Sequence, residues 1–181
     1  MSERNNDTAV LTAQIGRPPR SEAVVSARCH LGLPVVTQVP PVLDTGEPFP
    51  TRYWLGCPLA QRRISRIEAA GGVRDFALEA EQDPVFRGEL EAAHERYARA
   101  RDAEIPEDAR LRPSGGVGGA RRGVKCLHAH YADHAAGNLN PVGARVAEQV
   151  EPLNCKAPCV LVEAEPASRN PEWREPGAEE T

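Results

Sequence analysis

The segment that begins at Asp83 constrains the fold most, because it carries the clearest helical pattern in the chain. Asp83 is a favourable helix cap, and Pro84 suits the first helical position. Apolar side chains follow at helical spacing at positions 86, 90, 93 and 97. The pattern predicts a helix from Pro84 to about Arg101. His94 lies on its apolar face, where a hydrogen-bonded core histidine is expected.

The elements around this helix are shorter. Valine-rich runs at 23–28 and 34–39 predict a β-hairpin, and an aromatic run at 49–55 predicts a further strand. Helical patterns occur at 7–15, 57–70, 73–81 and 124–136, whereas 142–150 fits either a helix or a strand and 159–162 predicts a last strand. We expect one compact α+β domain over residues 7–163, with an N-terminal β-hairpin packed on three or four helices. Residues 1–6 and the acidic tail 164–181 are predicted to be disordered.

Composition excludes some classes of partner. The net charge of −4 gives no general attraction to nucleic acid, and no apolar run is long enough for a membrane span. The polar N-terminus lacks the apolar core of a signal peptide, so a cytoplasmic protein is expected. In that reducing compartment the five cysteines are expected to be free, reactive or metal-bound rather than paired in disulfides.

Residues 115–137 concentrate groups that bind anions, bind metals or transfer protons. A glycine-rich run and three basic residues are followed by Cys126, His128, His130 and His134. In a helix Cys126, His130 and His134 share a face, whereas in a strand Cys126, His128 and His130 do so. The apolar spacing favours the helix, which places Cys126 in its first turn, where the helix dipole and nearby cations stabilise a thiolate.

Two chemistries suit this stretch. Cys126 is a candidate nucleophile with His128 as its base, or it is a soft metal ligand. The predicted metal is zinc, with candidate ligands Cys57, Cys126, His130 and His134. An HExxH motif is absent, so a thermolysin-like base is not expected.

The glycine-rich run suggests an anion site, since exposed main-chain N–H groups beside cations suit a phosphate or carboxylate. Its candidate residues are Gly118, Gly119, Arg121, Arg122 and Lys125. The run does not match a nucleotide-binding P-loop, because Val124 separates Gly123 from Lys125 and neither Ser nor Thr follows.

The other cysteines carry weaker signals. Cys57 and Arg63 have the bare spacing of a cysteine phosphatase loop without its interior glycines. Three residues lie between Cys155 and Cys159, where zinc knuckles usually have two. Cys29 precedes a turn and is a further candidate ligand.

Several longer motifs, in order over residues 7–160, resemble the bacterial family known as domain of unknown function 501. They are the runs at 16–20, 48–58, 65–68, 116–119, 123–132 and 140–143, which read GRPPR, PFPTRYWLGCP, SRIE, GVGG, GVKCLHAHYA and NPVG. The family has no established activity, so the resemblance assigns no catalytic residue. Genes of similar proteins often lie near those for a septum-formation initiator and an exopolyphosphatase-like phosphatase, which implies envelope, division or phosphate metabolism.

The leading hypothesis is a zinc- and anion-binding protein, acting as a small hydrolase on a phosphate- or carboxylate-bearing substrate. One alternative is a non-catalytic interaction protein linked to division or phosphate metabolism. Another is a cysteine-nucleophile hydrolase.

Overall fold

The computed structural model describes residues 3–163 and 166–177. It confirms a mixed α+β fold, with six α-helices in the described part of the chain where three or four were predicted. The helices are α1 (Glu3–Ile15), α2 (Pro58–Ala69), α3 (Gly72–Gln82), α4 (Pro84–Asp102), α5 (Leu127–Ala135) and α6 (Pro141–Val150). The strands are β1 (Val24–Arg28), β2 (Pro34–Gln38), β3 (Tyr53–Leu55), β4 (Val160–Leu161) and β5 (Ser168–Arg169).

The predicted hairpin is confirmed as β1 and β2, which pair antiparallel with Val24 opposite Gln38. β2 is the central strand, because β3 pairs with its other edge and places Leu55 opposite Val36. Both of these side chains are buried. The aromatic run predicted as a strand from 49 to 55 is regular only over its last three residues.

The helix predicted from Asp83 is confirmed as α4. The Asp83 carboxylate accepts hydrogen bonds from the main-chain N–H groups of Val85, at 2.8 Å, and Phe86, at 3.2 Å. The ring of Phe86 stacks on that of Phe76 from α3, with centroids 6.3 Å apart. This cap therefore fixes the start of α4 where its apolar face meets the core.

The ambiguous run at 142–150 is a helix, α6, because Asn140 caps it and Pro141 occupies its first position. α6 packs closely on α5. A Cβ atom built at Gly143 would lie 2.3 Å from the main-chain oxygen of His130 and 2.6 Å from Cβ of His134. Glycine is therefore required sterically at this contact.

Part of the segment predicted as a disordered tail, residues 166–177, lies against the body of the protein. β5 pairs with β4, and the buried Glu175 carboxylate accepts two hydrogen bonds from Arg66 of α2, at 2.6 and 2.7 Å. The rest of that segment (164, 165 and 178–181) and residues 1 and 2 of the predicted N-terminal disorder lie outside the described residues. α1 begins at Glu3, four residues before its predicted start.

Within residues 3–163 and 166–177, none of the helices combines the length and the apolarity that crossing a bilayer requires.

Two glycine substitutions should have opposite effects on stability. Gly143→Ala should lower the free energy of unfolding by about 1–3 kcal/mol, because the added methyl group overpacks the contact between α5 and α6. Gly88→Ala, in α4 with open space around its Cβ position, should raise it by about 0.5–1 kcal/mol through helix propensity. Urea unfolding of both variants checks the pair. If both substitutions changed the free energy of unfolding in the same direction, the close contact between α5 and α6 at Gly143 would be contradicted.

Candidate functional site

A polar face of α2 meets the start of α5. Gln61, Ser65 and Glu68 are spaced so that they share one face of α2. Their polar atoms gather around His128, in the first turn of α5. The Glu68 carboxylate also accepts the main-chain N–H of Leu127 at 2.6 Å, which satisfies one of the unpaired donors at the start of α5.

The sequence predicted that Cys126 lies in the first turn of α5. In the structure Cys126 instead precedes this helix. Its backbone is extended (φ −154°, ψ 118°) and it occupies the capping position. The helix predicted from Val124 begins only at Leu127. Because Cys126 is outside the helix, it does not share a helical face with His130 and His134, and its sulfur lies 3.9 Å from Nδ1 of His128.

The hydrogen bonds of His128 define its tautomer. Nε2 lies 3.2 Å from the main-chain oxygen of Gln61, which can only accept, so Nε2 carries a hydrogen. In the neutral ring Nδ1 then presents a lone pair. It lies 3.2 Å from Oε1 of Glu68 and faces the sulfur of Cys126, and these three ligand atoms all lie within 4.8 Å of one another.

Three electron-rich atoms that converge in this way repel one another unless a proton or a metal ion lies among them. Burial lowers the pKa of His128, but the hydrogen bond with Cys126 and the charge of Glu68 outweigh it and raise that pKa to about 8. The group therefore attracts a cation. A carboxylate oxygen, an imidazole nitrogen and a thiolate are also a donor set that can hold a metal ion.

This group opens into a cleft of about 340 Å³ between α2, α5 and the β3 region. Cys126 and His128 line its wall, with Gln61 and Ser65 beside them, and Thr51, Tyr53, Trp54, Leu55, Gly118 and Ala129 complete it. A ligand in the cleft would therefore reach the sulfur and the imidazole directly.

The glycine-rich run is a closed turn rather than an open anion cradle. The N–H of Gly116 donates to the oxygen of Ala120, that of Gly119 donates to Gly116, and that of Val117 donates to Nδ1 of His94. The predicted anion-binding N–H of Gly119 is therefore already used. His94 also donates from Nε2 to the oxygen of Gly123, at 2.9 Å, so it is hydrogen-bonded as predicted, although its side chain is half-buried rather than in the core.

The basic residues predicted to bind an anion surround a shallow surface depression beside this turn. Arg121, Arg122 and Lys125 are exposed there, and Gly119 borders the depression next to Gly118 of the cleft. The structure thus places the basic surface next to the cleft but outside it.

The four predicted zinc ligands are not brought together among the described residues. Only Cys126 lines the cleft. His130 is fully buried and donates from Nδ1 to Asn140 at 3.0 Å, while His134 lies further along α5 against Gly143. Cys57 caps the start of α2, where it lines a different cavity with three other cysteines.

Sequence reasoning missed Glu68, although a signal for it was present. Gln61, Ser65 and Glu68 form a polar stripe on a helix whose other face is apolar, and such a stripe is usually interpreted as solvated surface. Only the packing of α5 against α2 identifies this face as part of a site.

Alkylation should distinguish the cleft thiol from a buried one. In chelator-treated, reduced protein, iodoacetamide should modify Cys126 at least about ten-fold faster than Cys57 at mildly alkaline pH. Cys126 lines an open cleft, whereas Cys57 is buried and its pKa is raised to about 11 by that burial. Mass spectrometry of tryptic peptides over time gives both rates. A Cys57 that reacts first would contradict the placement of the two thiols.

Comparison with known proteins identifies the family. A family model described as "Protein of unknown function (DUF501)" matches residues 25–148, which include the hairpin, the cleft and most of α6. No curated protein and no solved structure matches the chain. The match covers more than half of the sequence and includes Glu68, Cys126 and His128. This chain belongs to the DUF501 family of proteins of unknown function.

Proposed function

We propose that this protein binds one zinc ion through Glu68, Cys126 and His128 and uses it to bind and hydrolyse a small anionic substrate in the adjoining cleft. The observation that carries the proposal is the convergence of three ligand atoms on one point at the wall of that cleft. Zinc suits the mixed set of oxygen, nitrogen and sulfur donors.

Three protein ligands on one side leave a coordination position toward the cleft. This is the pattern of catalytic zinc sites, whereas structural sites are closed by four protein ligands. A bound zinc ion would act as a Lewis acid toward a carbonyl or phosphoryl oxygen.

The surrounding residues fix the ligands in place. Nε2–H of His128 donates to the main chain of Gln61, which orients the ring so that Nδ1 is the ligand atom. The Leu127 N–H holds one Glu68 oxygen, so the carboxylate cannot rotate freely. The first turn of α5 and the last turn of α2 therefore present their ligands already oriented.

The charge around the cleft supports an anionic substrate. Arg121, Arg122 and Lys125 lie on the surface next to the cleft and are exposed. Exposed cations raise the local concentration of anions and steer them to a neighbouring site. A phosphate or a carboxylate group fits both this surface and the proposed metal.

Zinc should protect Cys126 from alkylation, and this gives a readout specific to the site. In chelator-treated wild-type protein, added zinc should slow alkylation of Cys126 because the sulfur becomes a metal ligand. Glu68→Gln and His128→Gln should need at least about ten-fold more zinc for the same protection. His134→Gln, on the same helix but away from the cleft, is the matched control and should behave as the wild type. Equal protection in all four proteins would refute the proposed site.

The basic surface should strengthen phosphate binding without changing zinc binding. Replacing Arg121 and Arg122 together by serine should weaken binding of inorganic phosphate to the zinc-loaded protein roughly five-fold, which is about 1 kcal/mol for a pair of exposed charges. Raising the salt concentration should shrink the difference. Phosphorus NMR titration measures the binding, and zinc protection of Cys126 is the control. Unchanged phosphate affinity at low salt would remove these arginines from the substrate site.

A further inference from the structure

Four of the five cysteines meet at one cavity on the opposite end of α2 from Glu68. Cys29 follows β1, Cys57 caps α2, and Cys155 and Cys159 lie in the segment between α6 and β4. All four line the same small cavity, together with Gln14, Leu31, Leu33, Pro34, Pro58, Leu59 and Leu153. All four are free thiols. They come from three separate parts of the chain, so folding alone brings them together.

The four thiols are also close enough to influence one another electrostatically. Cys57 interacts with Cys155 and Cys159, and Cys159 interacts with Cys155 and Cys29. Cys57 is buried and the other three cysteines are partly buried, so thiolates at this point need a compensating positive charge. A bound metal supplies that charge.

Hydrogen-bond donors point at two of the four sulfurs. The indole N–H of Trp173 lies 3.4 Å from the sulfur of Cys155, and the amide N–H of Gln14 lies 3.6 Å from that of Cys159. A neutral thiol is a weak acceptor, whereas a metal-bound thiolate is stabilised by such donors.

The main chain around the cysteines is held in position. His30 bonds through Nε2 to the oxygen of Cys155, at 3.0 Å, and the N–H of Asn170 donates to the oxygen of Cys159, also at 3.0 Å. Arg63 of α2 donates to the main-chain oxygens of Val150 and Pro152, which lead into Cys155. The segment between α6 and β4 is thus fixed by hydrogen bonds from three other regions of the chain.

From these contacts we infer that Cys29, Cys57, Cys155 and Cys159 form a four-thiolate centre for a thiophilic metal, either a zinc ion or an iron–sulfur cluster. This site goes beyond the proposed function and shares no ligand with the cleft. Both kinds of centre use four cysteine thiolates. Binding releases the thiol protons to solvent and involves no oxidation of the cysteines.

The spacing of the sulfurs bears on which metal is bound. A tetrahedral zinc ion holds its sulfur ligands about 3.8 Å apart. Among the described residues, no three of these sulfurs lie within 4.8 Å of one another. The sulfurs must therefore move closer together before one zinc ion can bind all four. The cavity itself is only about 10 Å³, so a cluster requires the thiols to move outward and zinc requires them to close inward.

Metal analysis of full-length protein purified without oxygen and without chelator tests the inference. The wild type should hold iron with an equal amount of acid-labile sulfide, or a zinc ion, in addition to metal at the cleft. Cys155→Ser and Cys29→Ser should lose that metal and keep the cleft zinc. Cys126→Ser is the matched control, since it should lose only the cleft zinc. Iron with sulfide identifies a cluster, and zinc alone identifies a single-ion site.

A second measurement on the wild type avoids dependence on variants that fold poorly. Cobalt(II) added to the chelator-treated, reduced protein should give the intense thiolate charge-transfer absorption of a four-sulfur site, well above that of one thiolate. The inference is overturned if the wild type holds no metal beyond the cleft site or if Cys155→Ser keeps its full metal content. It is also overturned if these four cysteines form disulfides with one another. Wild-type protein that holds metal at the four cysteines but none at the cleft would overturn only the proposed function.

Discussion

The side chain of Asn140 links the helices on which the candidate site depends. Its oxygen accepts the N–H of Gly143, which caps α6, and also the Nδ1–H of His130 from α5. Its amide nitrogen donates to the buried carboxylate of Asp133, at 2.9 Å, and Asp133 pairs with Arg96 of α4. Each partner can play only one role in this chain of bonds, so α4, α5 and α6 have one relative arrangement.

This network also sets the charge of its members. Burial lowers the pKa of His130 to about 4, so the ring is neutral and donates only from Nδ1. The one full negative charge is that of Asp133, and Arg96 balances it from a partly exposed position. Removing Arg96 would leave the fully buried Asp133 carboxylate uncompensated, which is far more destabilising than the pair is stabilising. α5 is held by this network at its middle, and its first turn is thereby placed against α2.

Local signals in the sequence predicted much of the fold. Asp83-Pro84 combines a capping side chain with a proline at the first helical position, and it correctly predicted the start of α4. Asn140-Pro141 has the same combination and begins α6, although the pattern of residues 142–150 alone fits either a helix or a strand. The start of α5 could not be predicted in this way. Val124 and Lys125 fit the helical pattern, yet neither is helical and Cys126 has an extended backbone. The carboxylate that satisfies the first turn of α5 comes from Glu68, in another helix, and a cap supplied by tertiary structure leaves no local signal.

Residue spacing identified two members of the candidate site but not the third. The sequence identified Cys126 and His128 but grouped Cys126 with histidines that the structure places elsewhere. α2 separates the two groups of ligands, since Cys57 caps its start and Glu68 lies in its last turn. Eleven residues of helix put these two positions about 16 Å apart, too far for one metal.

The proposed cleft site has mixed donors and an open side, whereas the four-cysteine cavity has only sulfur donors and almost no free space. Open, mixed coordination suits reaction with a substrate, and closed sulfur coordination suits stabilisation of the fold or electron storage. One helix thus contributes to both, and the metal at its start would fix the position of the ligand at its end.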